Sequence, residues 1–119
     1  MLIRIDAGSE APLYDQIAAS VREDAAAGRV GPGERLPSAR EVAEALDVNL
    51  HTVLKAYQEL RDEGLVEMRR GRGAVLTDLA GAYAGLSEDA RALLARAREL
   101  GLGVDAVVAL VRAAGAGER

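Results

Sequence analysis

Between Val42 and Leu60 the sequence has room for two short amphipathic helices and almost nothing to join them. Val42, Ala43 and Leu46 give the first its buried side, and Val53, Ala56, Tyr57 and Leu60 recur on one face of the second until Gly64 ends it. The break is Asp47-Val48-Asn49. Ser38 followed by Glu41 forms a capping box for the first helix, and Asn49 is a good N-cap for the second, because its side-chain oxygen can take an otherwise orphaned backbone N–H. Two helices meeting across so tight a turn restrict the fold more than any other feature of the chain.

The flanks fill in the architecture. Leu2-Ile3-Arg4-Ile5-Asp6 reads as a short strand, and Pro12 opens a helix whose Leu13, Ile17, Val21 and Ala25 form one stripe ending near Gly28. Val30-Gly31-Pro32-Gly33 is a connecting loop. After Gly64, Leu65-Val66-Glu67-Met68 and Ala74-Val75-Leu76-Thr77 are two short strands around a tip in which Gly71 and Gly73 can take positive φ. Helix, helix-turn-helix, hairpin is the order of a winged helix. Beyond Thr77, Ser87 is placed to cap a helix carrying Ala90, Leu93, Leu94, Ala97 and Leu100, and after Gly101-Leu102-Gly103 a last helix carries Val104, Val107, Val108 and Val111. The expected fold is mainly α with a small β-hairpin: a winged helix-turn-helix at 1–77, then a helical hairpin at 78–119. Two short helices cannot bury both of their stripes alone, so the tail must pack on the first domain or on a second copy of itself.

With 119 residues the chain suits one ordinary domain, or a small one with an appendage. No apolar run approaches the roughly 20 residues of a membrane span. No exported-protein leader pattern is seen, and the absence of cysteine removes disulfides and thiolate metal ligands, so a cytoplasmic location without membrane contact is expected. Net charge is −4 and the pI about 5.0, but the charge is unevenly spread. Residues 1–34 hold three bases against six acids, whereas residues 35–77 hold seven of each and gather three arginines at 69, 70 and 72. Fields act over about a Debye length, so this local concentration matters more than the total.

Opposite the stripe of the helix that Asn49 caps stand His51, Lys55, Gln58 and Asp62. His51, Lys55 and Gln58 are donors at i, i+4 and i+7 on the first turns of the second helix of a helix-turn-helix, the element that enters a major groove about 12 Å wide. Lys55 suits guanine or a phosphate, Gln58 suits adenine, and Asn49 and Thr52 stand where backbone N–H groups also favour phosphate. Each residue alone is more simply a solvated surface side chain. Coincidence with the hairpin changes the balance, because a winged helix sets Arg70 and Arg72 beside this face, within reach of phosphates or the narrow minor groove. Enzymatic readings fail on their particulars. Gly71-x-Gly73 lacks the third glycine and following helix of a nucleotide fingerprint, a lone His51 without cysteine makes neither a triad nor a metal site, and Asp62-Glu63 and Glu88-Asp89 are solvated pairs at helix ends. No enzyme activity, metal or cofactor is expected, and no dedicated effector pocket. The remaining rival is a winged helix that binds a protein partner through the same face.

Four motifs occur in order: Pro12-Leu13-Tyr14-Asp15-Gln16-Ile17; Gly33-Glu34-Arg35-Leu36-Pro37-Ser38-Ala39-Arg40-Glu41; Thr52-Val53 with Ala56-Tyr57; and Glu63-Gly64-Leu65-Val66 with Arg69-Arg70-Gly71-Arg72-Gly73. Together they resemble the N-terminal winged helix of GntR-family bacterial transcriptional regulators, over Pro12 to Thr77. The short tail and Lys55-Ala56-Tyr57 resemble the YtrA-like subfamily, in which a compact helical extension serves dimerisation. The resemblance implies DNA contacts from Arg40, Asn49, His51, Thr52 and the Arg70-Gly71-Arg72 wing. With Ser38 at the entry to the second helix, and Lys55 and Gln58 from the exposed face, these form the candidate DNA-binding set. Leu50 and Leu54 depart from the wider family, which often carries Arg there. The expected function is a sequence-specific repressor that binds an inverted-repeat operator as a homodimer joined through Leu93, Leu94, Ala97, Leu100, Val104, Val107, Val108 and Val111.

Overall fold

The stripe Ile17, Val21 and Ala25 is buried along helix α1 (Leu13–Ala26) in the computed structural model, which describes residues 1–118. Leu13 departs from the expected stripe: at the first turn it stays 37% exposed. Helices α2 (Ala39–Leu46) and α3 (Leu50–Asp62) follow, then strands β1 (Val66–Arg69) and β2 (Gly73–Leu76), and helices α4 (Leu79–Glu99) and α5 (Val104–Gly117). This is a mostly helical winged helix-turn-helix with one antiparallel hairpin. By compactness the chain divides into two units, Met1–Gly85 and a second from Leu86 onward. No single described helix is long and apolar enough to cross a membrane.

In the first unit α3 is the central element. Its Val53, Ala56 and Leu60 are fully buried and pack with α1, α2 and the hairpin around Ile17, Val21, Leu65, Val66 and Leu76. Both elements of the capping box are present on α2: the Ser38 hydroxyl accepts from the Glu41 N–H at 3.1 Å, and the Ser38 N–H donates to the Glu41 carboxylate at 3.3 Å. The turn to α3 rests on Asp47, which takes the left-handed conformation at φ 53°, a place where Asp is tolerated better than most residues. At its far end α3 stops at Gly64. With φ at 86°, this glycine lets its own N–H and that of Leu65 bond back to the carbonyls of Arg61 and Leu60, launching the chain into β1.

The strands pair Val66 with Leu76 and Arg69 with Gly73, one residue displaced from the expected segments. A third strip, missed in the sequence, runs along the free edge of β2. Gly33 donates to Leu76 at 2.8 Å, Leu76 to Glu34 at 2.8 Å and Leu36 to Ala74 at 2.9 Å, with Arg35 opposite Val75. Two other expectations are corrected. Residues 2–6 form no strand, and two of their backbone donors are satisfied by α1 side chains: the Arg4 N–H donates to Ser20 Oγ at 3.0 Å and the Asp6 N–H to Gln16 Oε1 at 2.7 Å, while Ile3 enters the core. Ser87 does not cap a helix. It lies inside α4, which starts at Leu79, and its Oγ accepts from Arg91 one turn later at 3.0 Å. The earlier start is explained by Ala80, which is buried in the first unit, and by Tyr83, whose hydroxyl donates to Glu63 at 2.9 Å.

In the second unit α4 ends at a glycine turn in which Leu102 and Gly101 donate to the carbonyls of Ala97 and Arg98. Ala97 is buried there, but α5 has no buried residue at all, and Leu93, Leu100, Val104, Val108 and Val111 are all exposed. Most of the large apolar side chains described in the tail are thus exposed.

Candidate nucleic-acid interface

Tyr57 fixes how α2 sits on α3. Its hydroxyl donates to the Pro37 carbonyl at 2.6 Å, and burial, with Glu41 nearby, pushes the phenol well above its ordinary pKa, so it stays a donor. The edge pairing of residues 33–36 then holds Pro37 and Ser38 beside β2. The outcome is a groove of about 360 Å3 lined by Ser38 and Ala39 from the start of α2, Leu54, Gln58 and Arg61 from α3, and Met68, Gly73 and Ala74 from the hairpin. The outer face of α3 and the hairpin are therefore adjacent on one side of the first unit.

The candidate residues differ in how free they are. His51, Gln58, Arg40 and Arg70 are exposed, and among the described residues their side chains make no hydrogen bond or ion pair. The Asn49 side-chain Oδ1 accepts from the His51 N–H at 2.8 Å, which leaves the side-chain NH2 as a donor. Ser38 likewise uses its oxygen as a cap and keeps its O–H. Thr52 is half-buried. Lys55 is drawn toward α1, its Nζ 3.9 Å from the centre of the Tyr14 ring, a cation–π contact that carries the ammonium away from the middle of the exposed face.

At the tip, the Arg72 N–H donates to the Arg69 carbonyl at 3.0 Å across a turn in which Gly71 takes φ 80°, a value required at the third position of this turn and costly for any residue with a Cβ. The three arginines then separate. Arg69 is neutralised by Glu67 at 2.6 Å, Arg72 lies back on the Gly33 carbonyl at 3.2 Å, and Arg70 extends from the turn without a partner. Arg61 and Arg35 were not singled out in the sequence. The signal for Arg61 was available, since i+3 from Gln58 and i+7 from Leu54 place it on the same side of α3; Arg35 is placed by the edge pairing, which has no local signature. No group of three or more His, Cys, Asp or Glu able to hold a metal occurs among the described residues.

Residues 13–76 match the gntR family of bacterial regulatory proteins. The HTH-type transcriptional repressor YtrA of Bacillus subtilis is 43% identical over 77 residues, which is 65% of this chain and 59% of that one; the chain thus spans well under two thirds of that relative. Among solved structures, YtrA from Sulfolobus acidocaldarius, a GntR-family transcription factor, superposes with a TM-score of 0.60 at 44% identity, covering 65% of this chain and 81% of the other. AraR(DBD) in complex with operator ORR3 superposes with a TM-score of 0.53 at 26% identity, covering 65% of this chain and 95% of the other.

Proposed function

Because the chain belongs to the gntR family of bacterial regulatory proteins, whose members here are transcriptional regulators and not enzymes, we propose that it is a repressor that binds an inverted-repeat operator as a homodimer in the cytoplasm. Helix α3 enters the major groove, where His51 and Gln58 meet base edges and Asn49 and Thr52 meet phosphates at the helix start. Arg40 holds the backbone from α2. Arg70 reaches the adjacent minor groove or its phosphates, with Arg72 behind it. Lys55, held by Tyr14, serves as a phosphate contact on the α1 side.

The observation supporting this function is the groove shared by Leu54, Gln58 and Arg61 of α3 with Met68, Gly73 and Ala74 of the hairpin. It supports a reading in which α3 and the hairpin meet one duplex together, and the operator complex of AraR(DBD) is a precedent for this fold on DNA. Support for the homodimer comes from the second unit, where Val104, Val108, Leu110 and Val111 are each between 40% and 56% exposed. Apolar side chains gathered this densely favour a covering surface, and a second copy supplies an identical stripe by two-fold symmetry.

Titration of selected genomic fragments tests the function. The account expects an inverted repeat with half-sites separated by whole helical turns, and a log K against log [salt] slope near −0.9 per phosphate neutralised. Binding that ignores sequence and salt would refute it, and would favour a protein partner instead.

A further inference from the structure

Leu54 occupies a place where an ordinary surface would carry a polar residue. At about 100° per residue, Leu54, Gln58 and His51 fall within an arc of roughly 60° on the outward side of α3. Leu54 is 45% exposed, Met68 across the groove is 60% exposed, and Leu50, one turn earlier, is 37% exposed. Side chains that could hydrogen-bond a base thus have an apolar strip beside them, with Arg61 lining the same groove. Major-groove base edges present donors, acceptors and one apolar group, the thymine C5 methyl. Resting on the DNA-binding function proposed above, we propose that Leu54 is a specificity residue that reads thymine by packing on its methyl group.

Uracil isolates this contact, because it removes the methyl and leaves every hydrogen-bonding atom of thymine in place. With the full chain and an operator selected from random duplexes, each thymine of a half-site is replaced by deoxyuridine in turn and affinity is measured by fluorescence anisotropy at fixed salt. One or two positions are expected to lose about fourfold, the factor that corresponds to burying one methyl-sized group. In Leu54→Ala the same replacements should have no effect, which a merely structural role for Leu54 would not produce. Leu54→Arg, which retains a long side chain at this exposed site, should shift selection at that position from thymine to guanine. Equal binding of thymine and uracil duplexes at every position, or a uracil penalty that survives in Leu54→Ala, would overturn the proposal while leaving DNA binding intact. Absence of any selected duplex would instead remove the DNA-binding function on which the proposal rests.

Discussion

Single side chains differ in whether they are free to meet DNA in the proposed complex or are tied into the first unit. Arg70 has no side-chain partner among the described residues, so Arg70→Ala should leave thermal stability unchanged, weaken binding to all duplexes by a similar factor and reduce the salt slope by about 1. His51→Ala should instead change the ranking of operators. Asp24 has the opposite character. It is 3% exposed and accepts from Arg29 at 2.8 Å and from Arg4 at 3.0 Å, tying residues 1–5 and the end of α1 together. Burial acts to raise its carboxyl pKa, but the hydrogen bonds from Arg29 and Arg4 outweigh it and hold the group below the usual carboxylate range. Asp24→Asn should therefore cost about 1–2 kcal/mol, a lowered Tm at neutral pH being the readout. The pairing has no local signature in the sequence: Arg4 and Asp24 lie 20 residues apart and meet only because Ile3 is drawn into the core.

Local chemistry made most elements legible, and its reach explains where legibility stopped. The capping box at Ser38 and Glu41, the Asn49 cap, and the glycines at 64, 71 and 73 each act within a few residues of chain, and each was readable. Ser38→Ala should cost about 1 kcal/mol through the lost cap, and Gly64→Ala should cost more, because alanine must adopt φ near 86° there. The third strip at residues 33–36 and the start of α4 are set by distant partners, β2 in one case and Glu63 in the other. Glu63 accepts from the Arg22 guanidinium at 2.8 Å and from Tyr83, and the Arg22 bonds are the main reason its carboxyl is held below its ordinary range. A lowered folded pKa contributes stability that is complete above the unfolded value, about 4, and is lost as pH falls through the folded one. Glu63→Gln should accordingly lower Tm at neutral pH and flatten its decline on acidification. Of the candidate interface, the outward face of α3 and the glycine-jointed tip were readable, whereas the folding back of Arg72 and the capture of Lys55 by Tyr14 depended on tertiary neighbours no local pattern reveals.

The proposed function needs two reading elements in each copy and two copies on one operator. Val108→Asp should dissociate the proposed homodimer, since a carboxylate placed in an apolar interface is costly, and equilibrium sedimentation at micromolar concentration is the check; a wild-type chain that stays monomeric there would remove the dimer. The spatial claim at the centre is more specific: α3 and the hairpin tip must face the same stretch of duplex. A chain without cysteine allows that to be measured cleanly. His51→Cys and Arg70→Cys, each labelled with an iron chelate that cuts nearby DNA, should cleave the same half-site, the first from the major groove and the second from the adjoining minor groove within about half a helical turn. Cleavage from only one of the two positions, or from both at unrelated sites, would contradict the account.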